Sequence, residues 1–368
     1  MELFLSAGDP SGDNAAARLI QSIKAQDSGF RFFGLGHSRL AALGQEQLAE
    51  SNRLAVLGFW EVARQWRFFR RLMYRCVEEI ERRRPEAIIL VDYPGFNLRL
   101  AQRVKKLGIP IIYYISPQVW AWGKRRVSQI RELVDLMLVI LPFEEDFFRG
   151  HDIPVKFVGH YLLEDIPPEY ISSSPPEANR LCLLPGSRPQ EVHRMLPTML
   201  ETARILNHRY DTKAVVAGLS GVVDYEKMAS PYAADGITVE YDDPRRCIFE
   251  SDLALTASGT VTLETGIIGR PMVVIYRTGF ITYQIARRLI ALDKIALVNL
   301  VAGEKLVPEL IQQEASPVRI SEELTKFMDD RQRYESVREH LCRVPEMLGG
   351  VGASDRAARL ILDHLREG

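Results

Sequence analysis

Six stretches of the 368-residue chain combine chemically able residue types with glycines or helix starts that can place them. In Val91-Asp92-Tyr93-Pro94-Gly95-Phe96-Asn97, Asp92 follows an apolar run that reads as a strand. That puts it at the mouth of a sheet, where a partly buried carboxylate can take a proton from a hydroxyl. The competing reading is a loop aspartate capping the Phe96 helix. In Leu184-Pro185-Gly186-Ser187-Arg188-Pro189-Gln190-Glu191, Gly186 turns the chain into a helix. Ser187 suits a cap, with Gln190 completing a capping box. An arginine at that helix end opposes the dipole, unless an anion such as a diphosphate sits there and Arg188 grips it. Ser258-Gly259-Thr260 opens a third helix start, where hydroxyls and N–H groups can hold phosphate oxygens. Glu264, four residues after Thr260, shares its face and can accept hydrogen bonds from a ribose diol.

The other three stretches carry weaker signals. Gly8-Asp9-Pro10-Ser11-Gly12-Asp13 joins a strand to a helix and lets a ligand approach the backbone, but it is neither G-x-G-x-x-G nor a P-loop. Ser116-Pro117-Gln118-Val119-Trp120-Ala121-Trp122 can wall a sugar or acyl pocket, with Lys124-Arg125-Arg126 beside it, or can plug the core. In Phe59–Ile80, Phe59, Val62, Trp66, Phe69, Met73, Val77 and Ile80 form one helical stripe, and Arg64, Arg67, Arg71 and Arg75 form another face. Arginines with aromatics fit a helix lying on an anionic membrane, with an ordinary sheet-packed helix as the alternative. Scattered histidines and the lack of Asp-x-Asp or Gly-x-Ser-x-Gly give no reason to expect a metal, a cofactor or a serine nucleophile.

These residues need a scaffold, and the apolar pattern supplies one. Runs at Leu3–Ala7, Ala87–Val91, Ile109–Ile115, Leu136–Leu141, Val155–Val158, Arg180–Leu184, Lys213–Ala217, Ile237–Tyr241, Leu253–Thr256 and Pro271–Tyr276 read as buried parallel strands. Helical patterns at Asn14–Ala25, Phe59–Arg83, Phe96–Leu107, Gln190–His208, Thr260–Ile268 and Gly279–Ala291 separate many of them. The class is α/β: two Rossmann-like, doubly wound domains facing a cleft. Four prolines and three serines in Glu164–Ala178 mark the break between the halves. The expected division is 1–165, a linker at 166–178, 179–340, and a helical tail at 341–368. With 47 basic against 48 acidic residues, no chain-wide affinity for nucleic acid is expected. Four dispersed cysteines fit a reducing compartment. The start Met1–Asp13 lacks the basic region of a secretion signal, and no apolar run is long enough to span a bilayer, so a cytoplasmic protein is expected.

The motifs AGDPSGD (7–13), VDYPGFN (91–97), YYISPQVWAW (113–122), LPFEEDFF (141–148), FVGH (157–160), LLPGSRPQEV (183–192), ASGTVTLE (257–264), PMVVIYR (271–277) and LVNLVAG (297–303), in this order, resemble the lipid-A-disaccharide synthase family. That family comprises inverting glycosyltransferases of the two-Rossmann-domain (GT-B) type. The resemblance implies a metal-independent transfer of 2,3-diacylglucosamine from its UDP derivative to the 6-hydroxyl of 2,3-diacylglucosamine 1-phosphate. It makes Asp92 the base and Arg188 an essential phosphate ligand. It places Gly186, Ser187, Glu191, Ser258, Gly259, Thr260 and Glu264 at the nucleotide, with Asn299 near it, and Gly8, Asp9, Ser11, Gly12, Asn97, Ser116, Gln118 and Trp120 among the other substrate contacts. Phe59, Trp66, Arg67, Phe69, Arg71 and Met73 fall in its membrane-binding region, implying a peripheral protein on the cytoplasmic face of the inner membrane. C-terminal helices would cross back or be exchanged in a homodimer. Asp9 departs from the family's usual glutamate. The residues alone also admit a UDP-N-acetylglucosamine 2-epimerase-like enzyme, or a sugar-nucleotide-binding membrane adaptor without activity.

Overall fold

All ten apolar runs fold as parallel strands in the computed structural model, which describes residues 1–8, 10–49, 66–120, 124–278 and 294–367. The chain forms two units, Met1–Tyr161 with Gly349–Gly368, and Leu162–Leu348. Unit one holds β1 (Glu2–Ala7), β2 (Arg31–Leu35), β3 (Glu46–Gln47), β4 (Ala87–Val91), β5 (Ile111–Tyr114), β6 (Leu136–Val139) and β7 (Val155–Phe157), in the order 3-2-1-4-5-6-7. Unit two holds β8 (Arg180–Leu184), β9 (Lys213–Gly218), β10 (Ile237–Tyr241), β11 (Leu253–Ala257), β12 (Met272–Tyr276) and β13 (Glu309–Ile311), in the order 10-9-8-11-12-13. Each order reverses once, between β1 and β4 in the first sheet and between β8 and β11 in the second. In open α/β sheets that switch point is where strand-end loops part and ligands bind.

Sequence reading missed β2, β3 and β13. In β2 a glycine interrupts the run, because Leu5 O lies 2.0 Å from where a Gly34 Cβ would stand. The other two are short edge strands, held by main-chain bonds and lacking an apolar signature. A single helical turn, Tyr161–Glu164, leads into the Pro-rich segment, and a second, Pro168–Tyr170, lies within it. At the far end of the chain, helix Ala353–Glu367 returns to unit one and packs on helix Pro10–Gln26. Arg356 anchors this return: its guanidinium donates to Val158 O (2.8 Å), Gly349 O (2.8 Å) and Val351 O (2.8 Å).

His160, two residues beyond Val158, is buried in unit one. Burial penalises its charged form and pushes its pKa down to about 4. The unfolded chain takes up this proton near the ordinary 6.5. His160 therefore costs no stability above pH 6.5, and an increasing amount as pH falls towards 4, up to roughly 3 kcal/mol. Urea midpoints of the protein and of His160→Gln, measured from pH 7 to pH 4, should diverge in that window, the histidine form falling faster. Parallel curves would refute the buried neutral imidazole.

Candidate functional site

The turns singled out in the sequence fall at the two switch points. In unit one, the loops after β1 and β4 meet. Asp92 and Tyr93 both take left-handed backbone, φ 45° and 48°. Non-glycine residues in that region carry a cost of order 1 kcal/mol each, so surrounding structure must hold them there. It does so through the main chain. Asp92 N donates to Tyr114 O (3.0 Å), while Tyr113 Oη (2.6 Å) and Asn97 Nδ2 (2.8 Å) both donate to Asp92 O. Asn97 is locked in turn by Ser6 Oγ, which donates to its Oδ1 (2.7 Å). The N-cap of helix Pro94–Val104 is Tyr93, whose side chain makes no capping bond. Gly8 is required because the Tyr93 ring passes 2.1 Å from where its Cβ would lie. Ser11 is exposed with its Oγ 3.3 Å from Tyr161 Oη, and Gly12 is buried. Asp9 lies outside the described residues.

The next loop along the sheet follows β5. Ser116 is buried, Gln118 exposed and Trp120 half-buried. Ser116 Oγ (2.6 Å) and Trp120 Nε1 (3.0 Å) both donate to Glu144, a residue sequence reading did not single out.

In unit two, the loops after β8 and β11 enclose a cavity of about 320 Å³. Gly186, Ser187, Glu191, Ser258, Gly259, Thr260 and Glu264 all line it. Helices Pro189–Tyr210 and Val261–Ile268 both begin at this cavity, so their positive dipole ends face it. Gly186 has φ +109°, and an added Cβ would lie 2.8 Å from Glu191 Oε2. The Glu191 carboxylate accepts from Ser187 N (3.3 Å) and from Arg188 Nη1 (3.2 Å). Arg188 is largely exposed, its side chain 64% accessible. Glu264 is nearly buried, and desolvation raises its pKa against the lowering effect of Arg245. Arg245 donates to Glu264 Oε1 (3.1 Å) and to Asp165 O (2.6 Å), which fixes one carboxylate oxygen. Arg245 was missed, though Asp243-Pro244 just before it is a helix-start signal. Such a cavity suits a phosphorylated ligand with a diol.

With this geometry in hand, comparison with known proteins is decisive. Residues 3–359 match the family described as lipid-A-disaccharide synthetase. The chain belongs to that family. It is a glycosyltransferase of lipid A biosynthesis, and the epimerase and adaptor readings are not favoured. A lipid-A-disaccharide synthase from Myxococcus xanthus is 39% identical over 376 residues, covering 100% of this chain and 98% of the relative. Among solved structures, a putative UDP-N-acetylglucosamine 2-epimerase from Listeria monocytogenes superposes with a TM-score of 0.69 at 14% identity, covering 100% of this chain and 97% of that one. The calicheamicin glycosyltransferase gives 0.61 at 16%, covering 99% and 98%. These two establish that the synthetase fold here is of the GT-B type.

Several expectations for the synthetase chain need correction. Asn97 and Asn299 are fully buried, and their amides are engaged by the protein, so neither is placed to touch a ligand. Asn299 Nδ2 donates to Val307 O (2.9 Å) and Glu309 Oε1 (2.7 Å), and its Oδ1 accepts from Val307 N (3.0 Å). Glu309 also accepts from Ile295 N and Ala296 N (both 3.0 Å), and Ile295 O accepts from Ser258 Oγ (3.2 Å) in the cavity wall. Among the described residues, Asn299 is linked to the cavity wall through Glu309 and Ile295. Ser187 is not a helix cap. Arg188 holds that position without a side-chain capping bond, and Glu191 rather than Gln190 folds back to the turn.

The aromatic helix runs from Trp66 to Arg83 among the described residues, and Phe59 lies outside them. Met73 is buried with Leu72, Cys76 and Ile80 in the core of unit one, and Phe69 packs against that core. Met73 therefore cannot enter a membrane. The solvent face carries Arg67, Arg70, Arg71, Tyr74 and Arg75. Among the described residues, no helix is long and apolar enough to cross a membrane, and no three His, Cys, Asp or Glu side chains are grouped to hold a metal ion.

Proposed function

We propose that this chain transfers 2,3-diacylglucosamine from UDP to the 6-hydroxyl of 2,3-diacylglucosamine 1-phosphate, forming a β-1,6 link with inversion. The Asp92 carboxylate takes the hydroxyl proton as the oxygen attacks the anomeric carbon. The bond from that carbon to the diphosphate breaks, and UDP leaves with the electron pair. Charge growing on the diphosphate is met by Arg188 and by the ends of helices Pro189–Tyr210 and Val261–Ile268. Glu264, oriented by Arg245, receives the ribose hydroxyls. The observation that carries this reading is the cavity at the β8/β11 switch point, which combines two helix N-termini with a nearly buried carboxylate. The neighbour whose name specifies a UDP-sugar adds support.

The exposed arginines of helix Trp66–Arg83 suit the anionic cytoplasmic face of the inner membrane, each contributing about 1 kcal/mol near the lipid surface. The deciding experiment is incubation with diacylated donor and acceptor, followed by mass spectrometry. Disaccharide and UDP are expected in equal amounts, and neither forms if the proposal is wrong.

Arg188→Ala should raise the donor KM on the order of 10- to 100-fold, because a charge-assisted hydrogen bond to phosphate is lost. Acceptor KM should hold. A donor KM equal to that of the parent enzyme would remove Arg188 from the phosphate.

A further inference from the structure

Glu144 is 2% exposed, and donors from two separate elements converge on its carboxylate. Oε1 accepts from Ser116 Oγ (2.6 Å) and Trp120 Nε1 (3.0 Å), and Oε2 accepts from Leu141 N (3.0 Å). The Leu141 bond is the ordinary task of a glutamate at the third position of a helix, here Pro142–Arg149. That task needs neither burial nor the second oxygen. Burying a carboxylate is costly unless donors surround it, and the loop after β5 supplies the remaining ones. Glu144 therefore fastens Ser116 and Trp120, at the two ends of that loop. Between them Val119 is buried and Gln118 is exposed. The Trp120 ring is braced edge-on by Phe143, with centroids 4.9 Å apart at 88°. The loop leaves the sheet next to Asp92, because β5 pairs with β4 and Tyr114 O accepts the Asp92 N–H.

We infer that Glu144 is a positioning residue for the acceptor, acting through the Ser116–Trp120 loop. This rests on the reading that Asp92 activates the acceptor hydroxyl. The test compares the full-length enzyme with Glu144→Gln and Trp120→Phe, measuring kcat and the KM of each substrate. An amide at 144 keeps the volume but has one accepting oxygen and no charge, so it cannot hold Ser116 and Trp120 on one side and Leu141 N on the other, and the fastening is weakened. Acceptor KM is expected to rise on the order of ten-fold in Glu144→Gln, with donor KM and UDP affinity unchanged. Trp120→Phe removes only the N–H donor and should move acceptor KM in the same direction. The double variant should be little worse than Glu144→Gln alone, because both changes break one network. An unchanged acceptor KM in Glu144→Gln overturns the inference, as does a fall in kcat with both KM values constant, which marks a purely structural role. Should Glu144→Gln fail to fold, Ser116→Ala combined with Trp120→Phe decides: acceptor KM at the wild-type value overturns the inference. Absence of disaccharide from the wild-type enzyme itself would bring down the assigned reaction together with this inference. Product from the wild type with no acceptor effect in the variants would bring down this inference alone.

Discussion

Asp92→Asn is expected to cut turnover roughly 10²- to 10⁴-fold, the range for loss of a general base, while UDP binding stays at the parental value. The substitution leaves the main-chain bonds of the turn in place. Every bond that holds the Asp92 turn described above uses its main chain: N to Tyr114 O, and O from Tyr113 and Asn97. None of these needs the carboxylate. Asparagine is also among the residues that best tolerate left-handed backbone, so φ 45° carries little added strain. Alanine lacks that tolerance and would mix a folding defect with a chemical one. Among the described residues, those lining the cavity at the β8/β11 switch point all belong to unit two, which is why UDP affinity by calorimetry should not change. Turnover within ten-fold of the parent would exclude Asp92 as the base. Loss of UDP binding would instead mean that the variant perturbs more than proton transfer.

The strand ends were legible in the sequence because a parallel strand buried on both faces is written as an unbroken apolar run. A glycine or polar residue then marks where it emerges. Asp92, Gly186 and Ser258 were found that way. What remained hidden were partners brought in by topology. Glu144 lies 28 residues from Ser116, and Arg245 lies 19 from Glu264. Local spacing holds no trace of either pairing. Asn299 shows the opposite case: resemblance puts it near the nucleotide, and its link to the cavity wall runs through Glu309 and Ile295, which spacing does not show. The arginine-rich helix shows a third. Periodicity identifies an apolar stripe but not what covers it. In unit one the stripe of Met73 and Ile80 is covered by the domain's own core, leaving arginines and Tyr74 outward.

Arg270 gave no signal in the sequence, yet its replacement by methionine should be among the most damaging single changes to stability, about 4 kcal/mol. The side chain is fully buried between the end of helix Val261–Ile268 and the start of β12. Its Nε donates to Ser251 O (2.8 Å), Nη1 to Ser173 O (2.7 Å) and Nη2 to Phe249 O (2.9 Å) and Ser174 O (3.0 Å). Burial lowers its pKa from the ordinary value. Replacing both members of a buried ion pair with apolar side chains can be nearly neutral, since no polar group is left behind. That route is closed here because the partners are main-chain carbonyls, which no side-chain change can remove. Methionine would fill the space and take this donor from the carbonyls of Phe249, Ser251 and Ser174, each at a cost of ~1–3 kcal/mol before relaxation, while Ser173 O keeps a long bond from Arg338 (3.4 Å). Two of the accepting carbonyls belong to Ser173 and Ser174, so the same guanidinium fastens the Pro-rich segment to unit two. The expected loss corresponds to a melting temperature lower by about 8–16 °C for a unit of this size. Urea unfolding should show a lower midpoint with an unchanged slope, and amide exchange should quicken around Ser172. A loss below about 1 kcal/mol, with exchange at Ser172 unaltered, would mean that the carbonyls find other donors and that the segment is held by different contacts.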